Sequence, residues 1–197
     1  PAGQQVWIAG STHPGEEAIV LAVYRKMRDA GLPWCLAIAP RHVERAGEVM
    51  ELIRQNGFEG RMFSQIAQGS PWTVGDVLVV DTIGHLRELY AQASLVFVGK
   101  SLRVGGGQNV IEPAFFAKAV IVGPMMENFR DILVRFKEDG AIAQVKDDDE
   151  FADVVLGLAR DEGRRAVMGQ KAAAVIARNK GALERTLACV REITGSS

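Results

Sequence analysis

The sequence predicts a doubly wound α/β domain of the Rossmann-like kind, with a parallel sheet covered by helices on both faces. Apolar runs of strand length alternate with helical patterns along the 197 residues, which is typical of βα units. Polar clusters follow the ends of those runs, where open α/β sheets bind ligands. With 48% hydrophobic residues the chain is able to bury one substantial core. We therefore expect a single domain over residues 1–197.

Seven apolar runs have the length and the β-branched content of buried strands. In chain order they are Val6–Ala9, Trp34–Ala39, Arg61–Ile66, Val77–Val80, Leu95–Val98, Val120–Val122 and Ala141–Val145. The first helical pattern opens at Pro14, where a missing N–H is harmless, and Gly31 ends it. Its buried stripe, at spacings of three and four, is Val20, Val23, Tyr24 and Met27. Glu16 and Glu17 are assigned to the helix dipole alone.

Further helical patterns follow the later strands in turn. One carries Val43, Ala46, Met50 and Ile53 and ends at Gly57; a short one carries Leu86, Leu89 and Tyr90; two others end at Lys118 and span Asn128 to Lys137. From about 147 to 194 the sequence is helical, and the longest loop is Gln65 to Gly75. This alternation predicts a sheet whose polar loops all meet at one edge.

The charge balance and the cysteines exclude several classes of protein. Lys plus Arg number 23 against 24 Asp plus Glu, so a net charge of −1 gives no general attraction to nucleic acid or anionic lipid. Cys35 and Cys189 lack CxxC spacing, which argues against a disulfide or zinc site and favours a reducing cytosol. No apolar stretch reaches the 18 residues that a membrane-spanning helix needs, so we expect no such helix in this sequence. Because the chain begins at Pro1 with no initiator Met, we expect it to be a piece of a longer protein.

A glycine-rich loop, Gly105-Gly106-Gly107-Gln108-Asn109, follows the strand Leu95–Val98 and opens a helical pattern. Glycines let the backbone approach a ligand closely, and free N–H groups at a helix start favour a phosphate or carboxylate. The same residues also fit a simpler role, because Asn109 and Glu112 have the spacing of a capping box. The sequence leaves a phosphate loop and a helix cap as alternatives.

Five polar clusters carry a family resemblance when they are taken in order. They are Gly10-Ser11-Thr12-His13-x-Gly15-Glu16-Glu17, Pro40-Arg41-His42-x-Glu44-Arg45, Asp81-Thr82-Ile83-Gly84-x-Leu86-x-x-Leu89-Tyr90, Phe97-Val98-Gly99-x-Ser101-Leu102 with Gly106-Gly107-Gln108-Asn109-x-x-Glu112-Pro113, and Gly123-Pro124-x-x-x-Asn128-Phe129. Over residues 6 to about 135 the chain resembles the C-terminal half of Kdo transferase. That bacterial glycosyltransferase moves 3-deoxy-manno-octulosonic acid (Kdo) from CMP-Kdo onto a lipid A precursor. Val43 and Val110 stand where the family usually shows Pro.

The resemblance implies a place in lipopolysaccharide biosynthesis. Such enzymes have the GT-B architecture, in which two Rossmann-like domains face each other across a cleft and the C-terminal one holds the nucleotide sugar. This chain is expected to be that domain, without the N-terminal domain that carries the acceptor site, the membrane-associating surface and the catalytic base. We therefore assign no catalytic residue, metal or cofactor here, and expect an inactive, soluble fragment of a protein at the cytoplasmic face of the inner membrane.

The resemblance also implies a set of donor-binding residues. They are Pro40, Arg41, Thr82, Ile83, Gly84, Ser101, Gly106, Gly107, Gln108, Asn109 and Glu112, with Ser11, Thr12, His13 and Asn128 on the sugar side. Arg41 is the expected cation for the anionic donor, and the N–H groups of Gly106 to Asn109 are expected to face its phosphate. Glu112 is expected to accept from the ribose hydroxyls, and the segment 82–84 to lie against the cytosine.

Each of these assignments has a simpler alternative. Arg41 also fits a surface arginine, Thr82 a helix cap, and His13 a structural histidine, while His42 and His85 are interpreted as surface or capping residues. At the level of function, the alternatives are another GT-B enzyme that uses a UDP- or GDP-sugar, and a non-catalytic nucleotide-binding domain. A diphosphate donor would benefit from an additional cation near the glycine loop, and Lys100 and Arg103 are the candidates for it.

Overall fold

A sheet of seven parallel strands forms the centre of the fold, in the order β3-β4-β2-β1-β5-β6-β7. The structure, a computed structural model, describes residues 4–66 and 72–194, with side chains to residue 179 in its last helix. The strands are β1 Gln5–Thr12, β2 Trp34–Pro40, β3 Gly60–Met62, β4 Val77–Val79, β5 Leu95–Val98, β6 Ala119–Val122 and β7 Ala143–Gln144. Every residue of β2, β4, β5 and β6 is buried, as expected of strands covered on both faces.

Eight α-helices within the described ranges cover the two faces of the sheet. They are α1 Glu16–Asp29, α2 Ala46–Gln55, α3 Phe63–Ile66, α4 Leu86–Gln92, α5 Ile111–Phe115, α6 Arg130–Glu138, α7 Asp148–Arg160 and α8 Glu162–Thr194. Because side chains alternate along a strand, Trp7 of β1 belongs to an apolar cluster with residues of α1, α2 and α7, whereas Ile8 belongs to a second cluster with residues of α4, α5, α6 and α8. Phe151 of α7 packs against Trp7 in a tilted geometry and against Phe97 edge to face, at ring-centroid distances of 6.2 and 4.9 Å. The two apolar layers confirm the predicted doubly wound α/β fold.

Strand β1 lies at the point where the strand order reverses. It pairs with β2 on one side, with Ala9 opposite Ile38, and with β5 on the other, with Ala9 opposite Phe97. The chain leaves β1 and β5 toward opposite faces, which opens a crevice at the carboxyl edge of the sheet. This crevice brings together the loops that follow β1, β2, β4 and β5.

Several predicted elements have different boundaries in the structure. The expected strand Arg61–Ile66 ends at Met62, and Phe63–Ile66 is helical. Asp81 accepts hydrogen bonds from the Ser64 N–H at 2.9 Å and the Ser64 hydroxyl at 2.6 Å, which holds that turn in place. The second helix begins with a 3-10 turn at Val43–Arg45.

The helix expected to reach Lys118 ends at Phe115. Ala117 adopts a left-handed conformation with φ 53°, and the Lys118 N–H returns to the Pro113 carbonyl at 3.1 Å, which terminates the helix. Part of the predicted Gln65–Gly75 loop, residues 67–71, lies outside the described residues, as does the side chain of Cys189.

Candidate functional site

The crevice at the carboxyl edge holds a cavity of about 420 Å³. It is lined by Ser11, Ala39, Pro40, Arg41, His42, Val43, Glu44, Val80, Thr82, Ile83, Gly84, Leu86, Tyr90, Gln108, Asn109 and Glu112. Nine of these residues belong to the set predicted from the sequence: Ser11, Pro40, Arg41, Thr82, Ile83, Gly84, Gln108, Asn109 and Glu112. They come from four loops, so the fold collects residues up to 101 positions apart in sequence, from Ser11 to Glu112, around one space.

Arg41 is a solvent-exposed cation at the wall of the cavity. Its backbone is fixed, because the Arg41 N–H donates to the Thr12 carbonyl at 2.9 Å. Its side chain forms no ion pair with any residue that the structure describes. Arg45, one turn later, is fully engaged by Glu17 at 2.7 Å and Glu48 at 2.9 Å, and these carboxylates raise the pKa of its guanidinium. Arg41 is thus the guanidinium of this loop that is available to an anionic ligand.

The loop after β4 presents an unsatisfied hydroxyl and an exposed apolar side chain. The Thr82 Oγ1 atom is buried and has no hydrogen-bond partner among the described residues. It does not cap α4, whose flanking residue is His85, so the interpretation of Thr82 as a helix cap is wrong. Ile83 is 83% exposed at the cavity, and Gly84 turns the chain with φ 94°. An unpaired buried hydroxyl beside an apolar surface fits a ligand with a planar face and a polar edge.

The start of α5 provides the opposite wall. Asn109 Oδ1 accepts from the Ile111 N–H at 2.9 Å, and its Nδ2 lies 3.5 Å from Glu112 Oε1. Glu112 therefore meets the Asn109 side chain and not its backbone N–H, so the predicted reciprocal capping box does not form. Glu112 is half-buried, with a second carboxylate oxygen left for a ligand.

Tyr90 of α4 also lines the cavity, although the sequence pattern indicated only a core position for it. Burial, with a smaller effect of the Glu112 charge, raises the pKa of its hydroxyl far above the usual range. A Cβ atom at Gly10 would lie 2.1 Å from that hydroxyl oxygen, so glycine in β1 is what lets Tyr90 reach the cavity floor. No local sequence signal shows this contact, because the two residues are 80 positions apart.

The glycine loop uses its N–H groups within the protein. The Gly106 N–H donates to Glu127 Oε2 at 2.6 Å, and the Gly107 N–H donates to the Lys100 carbonyl at 2.8 Å. Neither residue lines the cavity, so the structure contradicts the expectation that these two N–H groups face a ligand. Gly107 serves packing instead, since a Cβ there would lie 2.4 Å from the Met126 sulfur. Of the predicted phosphate loop, Gln108 and Asn109 reach the cavity.

Four further predicted residues lie behind the cavity wall. Thr12 is buried and donates to Glu17 at 2.9 Å, and Ser101 is buried between the Val98 carbonyl and the Gly123 N–H at 2.7 and 2.9 Å. The His13 ring is turned toward the Ser11 carbonyl, with its centroid 6.0 Å from the ring of His42. Asn128 packs against Gly106 and donates its N–H to the Gly106 carbonyl at 3.1 Å. Through these contacts the four residues support the loops, and none of the four lines the cavity.

Glu16 and Glu17 are both 0% exposed, which contradicts their assignment to the helix dipole alone. Glu16 accepts hydrogen bonds from four backbone N–H groups, and Glu17 accepts from Thr12 and from Arg45. A carboxylate without water is stable only when such donors surround it. Sequence reasoning missed these roles because the partners lie in other loops.

Arg103, considered above as an additional cation, forms an ion pair with Asp148. Among the described residues, no group of three or more His, Cys, Asp or Glu side chains is arranged to hold a metal ion. Within the same residues, no helix combines the length and the apolarity needed to cross a bilayer.

Similar proteins point to one enzyme family. Over 152 residues, or 77% of this chain, the sequence is 32% identical to a bifunctional glycosyltransferase/methyltransferase from Fusobacterium nucleatum, of which it covers 23%. It is 31% identical to the 3-deoxy-D-manno-octulosonic acid transferase of Haemophilus influenzae over 92% of this chain and 42% of that protein. The chain thus spans less than half the length of these curated relatives. No protein-family model matches it.

A solved structure matches nearly the whole chain. The C-terminal CMP-Kdo binding domain of WaaA from Acinetobacter baumannii superposes with a TM-score of 0.80 at 26% identity, over 89% of this chain and 90% of that one. The predicted family resemblance and fold class are confirmed by these similarities.

Proposed function

Because the chain is a homologue of the Kdo transferases and has the fold of a GT-B C-terminal domain, we propose that it binds the CMP-Kdo donor of such a transferase. In the complete protein this donor supplies Kdo to a lipid A precursor, in lipopolysaccharide biosynthesis. The acceptor site and the membrane contact belong to a further domain, at the cytoplasmic face of the inner membrane. The chain by itself is expected to bind donor but not to transfer sugar.

One observation carries the proposal: nine of the fifteen residues that the sequence predicts for the site, on four separate segments of the chain, line a single cavity. Its volume of about 420 Å³ is within the usual range of roughly 300–1,000 Å³ for small-molecule sites. The cavity also lies at the point of strand-order reversal, where open α/β sheets hold nucleotides. A site of this size accommodates the CMP part of the donor and part of the attached Kdo.

The side chains of the cavity match the parts of a cytidine monophosphate. Arg41 offers a forked guanidinium for paired hydrogen bonds to the phosphate. Gln108 and Asn109 approach from the opposite wall, and the free oxygen of Glu112 accepts from the ribose hydroxyls. Ile83 covers one face of the base, while the unpaired Thr82 hydroxyl meets its polar edge. In this proposal the Arg41 guanidinium and the polar groups of Gln108 and Asn109 balance the donor's charge, and no metal takes part.

Calorimetric titration of the chain with CMP, and in parallel with UDP, GDP and NAD at the same salt concentration, tests the proposal. We expect CMP to bind with the highest affinity of the four. Preference for UDP would assign the chain to a GT-B enzyme with a uridine donor. Absence of binding by all four nucleotides would contradict a self-sufficient donor site in this domain.

A further inference from the structure

Glu16 lies behind the cavity wall, at the first position of α1, and connects two of the loops that form the site. Its Oε2 atom accepts from the His13 N–H at 2.9 Å and the Lys100 N–H at 2.8 Å. Its Oε1 atom accepts from the N–H groups of Ser101 and Leu102, each at 2.9 Å. The carboxylate is 0% exposed. One side chain thus holds the backbone after β1 and the backbone after β5.

The backbone around this carboxylate is strained in both loops. Ser11 has φ 54° and Lys100 has φ 57°, a left-handed conformation that costs a residue with a Cβ of order 1–3 kcal/mol. Such conformations persist only where the surroundings impose them. The approach is also close, because a Cβ at Gly99 would lie 2.6 Å from the Ser11 carbonyl oxygen and 2.7 Å from Glu16 Oε2. Both backbone segments that donate to the Glu16 carboxylate, one after β1 and one after β5, thus contain a residue in a strained conformation.

Each strained residue is connected to the cavity. Ser11 lines it directly. The Lys100 carbonyl accepts from the Gly107 N–H at 2.8 Å, and Gly107 precedes Gln108, which lines the opposite wall. The loop after β4, with Thr82 and Gly84, makes no hydrogen bond to Glu16 among the described residues. The carboxylate is therefore linked to the parts of the cavity wall that follow β1 and β5, and not to the loop after β4.

We propose that Glu16 is a positioning residue that makes the loops after β1 and β5 a single unit and so sets the parts of the cavity wall, at Ser11 and Gln108, that face the phosphate and sugar. It does so from behind the wall, without touching the ligand. The assignment of that wall to the phosphate rests on the function proposed above. The coupling of the two loops is independent of it.

Glu16→Gln tests the positioning role, because an amide nitrogen cannot accept and one pair of backbone N–H groups loses its partner. We expect affinity for CMP to fall by about three- to thirtyfold, the range for residues that act on a ligand without contact, while affinity for cytidine changes little. The ratio of the two affinities therefore falls. Tyr24→Phe is the control, since it removes the hydrogen bond to the Trp34 carbonyl at the opposite edge of the sheet. It should lower thermal stability and leave the ratio unchanged.

Amide hydrogen exchange of the unliganded wild-type chain tests the coupling itself. If one carboxylate holds both loops, the amides of His13, Lys100, Ser101 and Leu102 open together and their protection factors agree within about threefold. A difference above about tenfold between His13 and the other three would overturn the inference, as would equal losses of CMP and cytidine affinity in the Gln variant. If that variant does not fold, the exchange result decides. If the wild-type chain binds neither ligand, the proposed function fails and exchange still tests the coupling.

Discussion

Arg41→Ala is the substitution that most directly separates ligand binding from stability. The Arg41 side chain is exposed and forms no ion pair with the described residues, so its removal breaks no contact that the folded chain needs. We expect the free energy of unfolding to change by less than about 0.5 kcal/mol, as for other surface substitutions. Loss of one or two charge-assisted hydrogen bonds should weaken CMP binding by about 1.5–3 kcal/mol. That energy corresponds to about a 12- to 160-fold rise in Kd.

Calorimetry of the Arg41→Ala chain with CMP measures this loss, and chemical denaturation measures stability. Arg54→Ala is the matched control, because Arg54 is an exposed arginine that pairs with Glu51 on α2 and does not line the cavity. Arg41→Lys should fall between wild type and Ala, since an ammonium keeps the charge and loses the paired geometry. Unchanged CMP affinity in Arg41→Ala would refute the assignment of Arg41 to the phosphate.

Three other substitutions and one treatment give independent tests. Glu112→Gln should lower CMP affinity by about 0.5–1.5 kcal/mol and leave 2′,3′-dideoxy-CMP unaffected; equal losses for both ligands in calorimetry would contradict the ribose contact. Thr82→Val removes an unpaired hydroxyl, so CMP affinity should fall while the melting temperature holds or rises, and a lower melting temperature would show a structural role. Glu127→Gln keeps an oxygen acceptor for the Gly106 N–H and lies outside the cavity, so CMP affinity should stay within about twofold of wild type; a larger change in calorimetry would show that the glycine loop acts on the ligand. EDTA should leave the CMP Kd unchanged, and a loss of binding that Mg²⁺ restores would contradict a donor site without metal.

The strands were the most predictable part of the fold. Leu95–Val98 has the boundaries that its apolar run predicted, and Val77 and Trp34 begin their strands as expected. A buried parallel strand is apolar at every position, which is a strong local signal. The segment Phe63–Ile66 was assigned to a strand because nothing local shows that Asp81 holds Ser64 in a turn. That hydrogen bond joins residues 17 positions apart.

Site residues were predictable where their position along the chain, near the end of a strand, places them at the cavity. They were not predictable where their role depends on a residue that is distant in sequence and close in space. Arg41 and Thr82 reach the cavity because each follows a strand end, and Glu112 reaches it from the first turn of α5. Gly106 and Gly107 were expected to serve a ligand, but Glu127 and Lys100 occupy their N–H groups. A glycine-rich sequence shows that the backbone approaches something closely, and it does not show what.

The two carboxylates at the start of α1 illustrate the same limit. Acidic residues in a first turn usually complement the helix dipole at the surface. Here Glu16 and Glu17 are buried, and their partners come from loops as distant in sequence as Leu102 and Arg45. Only the three-dimensional arrangement distinguishes a buried acceptor of four N–H groups from a solvated charge.

A crystal structure of the chain with bound CMP would locate the donor site. We expect the nucleotide in the cavity between the loops after β1, β2, β4 and β5, with its phosphate on Arg41 and its base against Thr82 and Ile83. We also expect the bonds of Glu16 to the two loops to be retained. CMP bound outside this cavity, or with its phosphate turned away from Arg41, would contradict the account.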